Sequence, residues 1–276
     1  MSAAELDALT NRLRGRRVLV LTGAGVSTDS GIPDYRGRSA PARRRPPIQH
    51  QDFVREALVR ARYWARSTLG WPRLRDVAPN VTHRALAAWQ RSGQLAGLIT
   101  QNVDQLHQKG GAVDVIELHG ALADVRCLAC GGLERREALQ ERLVRDNPGL
   151  VAWSATVLPD GDVELPDEAV ARFVVPSCRS CGGVLKPDVV FFGDSVPQPR
   201  VQAAFSRLER AEVLLVLGSS LTVFSGYRFA LRAHEQGQPI VIVNDGPTRA
   251  DALATLRAGA LVADVIPQLV ERLTAP

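Results

Sequence analysis

At 276 residues, with 45% hydrophobic and 23% charged residues, the chain has apolar content for a sizeable core and no bias toward disorder. It has no apolar run of the length a membrane-spanning helix needs. The formal charge of +5 is carried almost entirely by dispersed arginines, Lys109 and Lys186 being the only lysines, so no specific nucleic-acid partner is expected.

Residues 1 to 16 place Leu6, Leu9 and Leu13 at helical spacing with Glu5 and Asp7 between them. This reads as an amphipathic opening helix and not as a secretory or transit signal, so the expectation is a cytoplasmic protein with no membrane partner. Val18 to Leu21 is a continuous apolar run suited to a strand buried on both faces of a parallel sheet. It discharges into Gly23-Ala24-Gly25, where the backbone can turn sharply and present amides to a pyrophosphate at a helix N-terminus. The third glycine of the usual dinucleotide fingerprint is missing, Thr28 standing in its place, and a ligand-free strand-to-helix turn is the alternative. Gly31 and Pro33 stop the next helix after roughly two turns. Asp34, Tyr35 and Arg36 then lie on a loop able to fold over a ligand.

Residues 38 to 50 are rich in arginine and proline and too broken for regular structure. Helical spacing runs from 51 to 66, with Gly70-Trp71-Pro72 as its stop, and again from Thr82 to Gln90. Four further apolar runs each end in glycine or small polar residues: Leu95–Thr100 into Gln101-Asn102-Val103-Asp104, Val113–Leu118 into His119-Gly120, Val213–Leu217 into Gly218-Ser219-Ser220, and Pro239–Val243 into Asn244-Asp245-Gly246. Helical patterns at Arg200–Arg210 and Ser225–Glu235 supply crossovers. In an open parallel sheet such strand ends share one edge, where a ligand crevice forms.

The four cysteines fall as two Cys-x-x-Cys knuckles, Cys127/Cys130 and Cys178/Cys181. Each tight turn offers two sulfurs, so the pairs suit one tetrahedral Zn2+ with no open position, a structural site; disulfides are the alternative. The fold class is therefore α/β. A Rossmann-like parallel lobe (1–38, 77–124 and 184–276) carries a helical insert (39–76) and a small zinc module (125–183), with residues from 184 through Lys186-Pro187-Asp188 to Gly193 returning the chain to the sheet.

Taken together, Gly-Ala-Gly-Val-Ser-Thr-Asp-Ser-Gly-Ile-Pro-Asp-Tyr-Arg, Thr-Gln-Asn-Val-Asp-Gln-Leu-His, Glu-Leu-His-Gly, the two knuckles, Lys-Pro-Asp-Val-Val-Phe-Phe-Gly-Asp, Gly-Ser-Ser-Leu and Val-Asn-Asp-Gly resemble the sirtuin family from about residue 15 onward. Ile-Gln-His-Gln-Asp-Phe-Val-Arg, Arg-Tyr-Trp-Ala-Arg and Gly-Tyr-Arg-Phe resemble its class II branch, which includes a mitochondrial lipoamidase-type member. Val26 and Tyr35 stand where isoleucine and phenylalanine are more usual.

The resemblance implies an NAD-dependent protein lysine deacylase acting on acylated lysines of proteins, with NAD as cosubstrate, one structural Zn2+ and an NAD cleft between lobes; the sequence leaves the oligomeric state unknown, a monomer being favoured. It implies His119 as general base, Asn102 as the second catalytic residue holding ribose and water with Gln101, and Asp104 on the nicotinamide carboxamide. Gly23, Ala24, Gly25, Ser27, Asp34, Tyr35 and Arg36 would surround the cofactor. Gly218, Ser219 and Ser220 would meet the phosphates and nearby ribose, Asn244, Asp245 and Gly246 the adenosine ribose, and Val262 the adenine. Val190, Phe191, Phe192 and Gly193 would pair with substrate backbone as an added strand. Tyr63 and Arg66 resemble a pair that binds the distal carboxylate of dicarboxylic acyl groups, the alternative being a helix cap or a local ion pair. His107 is assigned to a supporting place. Protein mono-ADP-ribosyl transfer and a non-catalytic NAD-sensing zinc protein are the rival readings.

Overall fold

Apolar runs that end in glycine need neighbours on both faces, and the structure, a computed structural model, supplies them. It describes residues 1–34, 37–38, 47–150 and 165–275. The described strands are β1 Val18–Thr22, β2 Leu95–Thr100, β3 Val115–Glu117, β4 Gly120–Cys127, β5 Leu133–Arg135, β6 Leu185–Val189, β7 Val213–Leu217, β8 Ile240–Val243 and β9 Leu256–Ala258. The described helices are α1 Ala3–Leu13, α2 His50–Arg55, α3 Ala57–Asp76, α4 Val81–Arg91, α5 Leu106–Lys109, α6 Arg136–Asp146, α7 Asp167–Ala171, α8 Gln198–Glu209, α9 Phe224–Glu235 and α10 Val262–Thr274. None of them is long and apolar enough to cross a membrane.

The chain divides into two compact units, and the first comprises Met1–Ala40, Ala78–His119 and Val196–Pro276. Its sheet has six strands in the order β3-β2-β1-β7-β8-β9, every pairing parallel. Every residue of β1, β7 and β8 is buried, as strands covered on both faces must be. Val18, Val20, Val213 and Leu215 pack with Leu9 and Leu13 of α1, Leu86 and Trp89 of α4, and Ile266 and Leu269 of α10 in one core. The alternate residues Leu19, Leu21, Leu214 and Val216 point to the opposite face and are equally buried. The order places the topological switch point between β1 and β7, where open α/β sheets leave a crevice beyond the strand ends.

The second unit comprises Pro41–Val77 and Gly120–Ser195. Its sheet has three antiparallel strands in the order β5-β4-β6. Residues 185 to 189 therefore do not return to the parallel sheet as the sequence suggested. Lys186 and Pro187 pair with Arg126 and Val125, and the strand stops at Val189.

Three further expectations need correction. The turn after β1 is followed by two short 3-10 segments, Ala24–Val26 and Thr28–Ser30, in place of a two-turn helix. Side chains take the carbonyls that such a helix would use: Asn102 Nδ2 donates to Gly23 O at 3.1 Å and Asn80 Nδ2 to Val26 O at 2.8 Å. Helix α3 runs straight through Gly70-Trp71-Pro72 to Asp76. Burial of Trp64 and Trp71 along one side, about 4–6 kcal/mol for each ring, outweighs the roughly 3 kcal/mol of an internal proline. Finally, β5 and β9, of three residues each, are too short to have registered in the hydrophobic pattern.

Candidate active site

At the switch point the ends of β1 and β7 are tied together. Gly23 N–H donates to Leu217 O at 3.0 Å and Gly25 N–H to Gly218 O at 2.9 Å. Gly218 has φ 57°, and a Cβ on it would lie 2.7 Å from Gly25 C and Val26 N, so only glycine lets these two backbones meet. The rim here is consequently main chain, the arrangement that offers amides to an anion.

Polar side chains from the end of β2 complete a network around that rim. Asn102 Nδ2, besides holding Gly23 O, donates to Ser27 Oγ at 3.0 Å, and Ser27 Oγ donates to Asp104 Oδ2 at 2.8 Å. Asp104 also accepts from Leu106 N at 2.9 Å. Burial holds its carboxyl above the usual range, opposed by those hydrogen bonds and by Lys109. Gln101 Nε2 donates to Ser219 Oγ at 2.7 Å and Thr22 O at 3.3 Å.

His119 joins the same network. Its Nδ1 lies 2.8 Å from Gln101 O, which can only accept, so Nδ1 carries the proton and Nε2 presents a lone pair. Burial lowers its pKa, the Gln101 bond pulls the other way, and the charges of Arg200 and Arg228 lower it further. The resting imidazole is therefore a neutral base. His107, buried, bonds Thr22 Oγ1 through Nε2 at 2.9 Å beneath the strand end.

At the β8 end, Asn244 Nδ2 donates to Gly246 O at 2.7 Å, and Asp245 pairs with Arg38 at 2.8 Å. Val262 is the buried first residue of α10, and Ser220 O accepts from Arg249 N at 2.9 Å. Asp34 accepts from Gly37 N at 2.7 Å, while Tyr35 and Arg36 lie outside the described residues.

In the second unit, Tyr63 on α3 meets Phe53, Trp64 and Phe191 with ring centroids 5.5, 5.1 and 5.4 Å away. Arg66 lies one helical turn along from Tyr63 on α3. Val190 to Gly193 follow β6, with Phe192 bridged to Gln49 and its carbonyl accepting from His50 N at 2.9 Å; the chain then turns at Gly193, where φ is 76°.

The four cysteine Sγ atoms converge within 4.8 Å of one another. Cys127–Cys181 and Cys130–Cys178 separations of 3.5 and 3.8 Å match the roughly 3.8 Å edge of a tetrahedron with 2.3 Å metal–sulfur bonds. The two knuckles repeat one hydrogen-bond pattern: Cys127 N to Gly132 O and Cys178 N to Gly183 O, both 2.9 Å. Amides of Cys130 and Ala129 lower Cys127 to about 6. The Gly183 amide acts likewise on Cys181, but the neighbouring sulfurs push that thiol up to about 12. Four thiolates at this spacing need a cation, and the donor set and geometry fit Zn2+ with no position left for water.

Sequence reasoning singled out the strand-end residues but missed Thr22, Asn80 and Ser225, which bond to them or to the turn beside them, and His83, which packs on His107. Ser225-Gly226, opening the α9 pattern directly after the Gly218-Ser219-Ser220 loop, was the one signal available for any of these.

The sheet order, the paired glycine turns at its switch point and the four-cysteine centre define a doubly wound α/β protein of the nucleotide-binding type with a structural metal module. Comparison with known proteins narrows the class. The Sir2 family profile matches residues 23–225. A Bos taurus protein named NAD-dependent protein lipoamidase sirtuin-4, mitochondrial, is 52% identical over 93% of this chain and 82% of its own length. A Xanthomonas axonopodis pv. citri NAD-dependent protein deacetylase is 53% identical over 88% of this chain and 83% of its own. The solved Sir2–p53 peptide–NAD+ structure aligns with a TM-score of 0.75 and 31% identity over 98% of both chains. The chain belongs to the Sir2 family.

Proposed function

We propose that this chain is an NAD-dependent protein lysine deacylase. The acyl oxygen of an acyl-lysine attacks C1′ of the nicotinamide ribose, nicotinamide leaves, and the acyl group passes from lysine to ADP-ribose. The observation that carries the reading is His119, a neutral imidazole of fixed tautomer on one hydrogen-bonded network with the Gly23 turn.

Breaking a glycosidic bond to a cationic leaving group develops oxocarbenium character, so the chain's task is to orient the ribose and exclude water. Gly23, Gly25 and Gly218 let the main chain approach the pyrophosphate closely, and the amides of Ala24, Ser219 and Ser220 hold it. Asp104, oriented by Ser27, accepts from the carboxamide, and Asn102 with Gln101 fixes the ribose and one water. Asn244, Asp245, Gly246 and Val262 hold the adenosine end, and Asp34, Tyr35 and Arg36 cover the reacting carbon. His119 Nε2 removes a proton from a ribose hydroxyl after nicotinamide has left, and the resulting oxygen attacks the acyl carbon. Cys127, Cys130, Cys178 and Cys181 would hold Zn2+, a structural ion outside the chemistry.

Val190, Phe191, Phe192 and Gly193 receive the substrate backbone, and Phe191 with Tyr63 lines the acyl chain. Arg66 gives a positive end to that lining, so succinyl and glutaryl groups are preferred to acetyl. The test is kcat/KM on acetyl- and succinyl-peptides with product mass spectrometry. Arg66→Ala should lose roughly tenfold or more on the succinyl peptide and little on the acetyl one; equal losses refute the acyl assignment. ADP-ribosylated protein in place of O-acyl-ADP-ribose refutes deacylation.

A further inference from the structure

His119 is held from both sides. Opposite the Gln101 carbonyl, its Nε2 lies 2.7 Å from the hydroxyl of Ser225, the second residue of α9. Nε2 is a bare lone pair in this tautomer, so the serine hydroxyl donates to it. The neighbouring Gly226 lets the helix end come this near: a Cβ there would lie 2.3 Å from Gln101 Oε1. That amide has no freedom to move away, being held by Ser219 Oγ and Thr22 O. Ser225-Gly226 therefore docks the first turn of α9 on His119 and Gln101. The charged groups around the imidazole are Arg200 of α8 and Arg228 of α9, neither of which can take the place of a neutral donor–acceptor at Nε2.

We propose that Ser225 is a positioning residue for deacylation, an inference that rests on His119 being the general base. In the base form the hydroxyl donates to Nε2 and fixes the ring plane and tautomer. For the chemical step the hydroxyl first rotates about Cβ–Oγ and leaves the one lone pair of Nε2 to the ribose hydroxyl; the ribose O–H bond then breaks as the Nε2–H bond forms. The electron pair stays on the ribose oxygen that attacks the acyl carbon, and imidazolium carries the charge. The same hydroxyl, rotated about Cβ–Oγ, can then accept from the protonated nitrogen. Ser225 ends each turnover with the proton it began with, so it orients the base without joining the transfer.

The test uses the full chain with zinc bound, NAD and an acetyl-lysine peptide, and follows two rates. Exchange of labelled nicotinamide into NAD reports the step before the base acts; release of free lysine peptide reports the step that needs it. Ser225→Ala should slow peptide release roughly three- to tenfold, the worth of one hydrogen bond to an uncharged group, while nicotinamide exchange and KM for NAD stay within about twofold. Ser225→Thr, which keeps the hydroxyl, should recover most of the loss. Unchanged peptide release in Ser225→Ala overturns the proposal. So does a loss shared equally by both rates, which marks a merely structural role, or a Thr variant as slow as the Ala variant. His119→Ala separates the two layers: peptide release should collapse while exchange persists. If peptide release survives that change, the general-base reading itself falls, whatever Ser225 does.

Discussion

Acid should destabilise the first unit through two buried imidazoles. His83 and His107 are at most 1% exposed, and their rings meet edge to face with centroids 4.9 Å apart. His83 Nδ1 accepts the Asn80 backbone N–H where α4 begins, and His107 bonds Thr22 under the glycine turn. Burial, reinforced by Arg84, lowers His83 to about 4; burial, reinforced by His83, lowers His107 to about 3. Both values lie below the ordinary 6.5 of the unfolded chain, so as pH falls the unfolded state takes up protons first. The stability contributed by these neutral rings is complete above about pH 6.5 and is withdrawn as pH falls from there toward 4 and 3. Linkage gives about 1.4 kcal/mol per pH unit for each proton taken up on unfolding. Between pH 7 and 5 each ring withdraws about 2 kcal/mol and the pair about 4, a large share of a typical domain's stability. Guanidinium unfolding followed by circular dichroism at pH 7, 6 and 5, with zinc saturating, measures the slope. The variant His107→Gln, whose amide can still reach Thr22, should lose close to half of the histidine contribution; cysteine protonation is common to both proteins and cancels. A pH slope identical in variant and wild type would refute the reasoning.

Gly218→Ala puts a methyl group 2.7 Å from main-chain atoms of the Gly25 turn at a left-handed φ. It should raise KM for NAD at least tenfold and lower the unfolding free energy by about 2–4 kcal/mol; kinetics and denaturation check both, and normal NAD affinity would contradict the account of the rim. Cys178→Ser removes one of the four thiolates, so zinc content should fall below stoichiometric. Limited proteolysis should then cut within 120–195 while residues 205–275 stay protected; full zinc occupancy in the variant would remove the four-thiolate assignment. Trp71→Ala should cost about 3–5 kcal/mol, because this ring and its 2.9 Å bond to Glu137 hold α3 through Pro72; a loss below about 1 kcal/mol would show that the proline is accommodated by other means.

The parallel strands were legible because burial on both faces demands unbroken apolar runs, and Val18–Leu21, Val213–Leu217 and Pro239–Val243 contain little else. Their glycine and small polar endings come together at one edge of the sheet, where hydrogen bonds tie the ends of β1, β2 and β7 to one another. Two kinds of feature stayed hidden. The antiparallel pairing of Lys186 and Pro187 with β4 is a long-range choice that an apolar run shared with parallel strands does not signal. The supporting partners of the site are ordinary residues at helix starts: Asn80 caps α4, His83 lies in its first turn, and Ser225 is the second residue of α9. Their importance lies in what folding sets opposite them, Val26 O, the His107 ring and His119 Nε2 respectively. Helix α3 failed in the other direction, because local proline chemistry was overruled by tryptophan burial.

The account depends on the Gly23 turn and His119 belonging to a single NAD site. Titrating the isotope-labelled chain with NAD and following the Gly23 and Gly25 amides together with the His119 ring nitrogens by NMR tests this directly. All of these signals should shift along one saturation curve with one Kd. Glycine amides that saturate while the imidazole stays still, or the reverse, would place the two groups in separate sites and contradict the proposed chemistry.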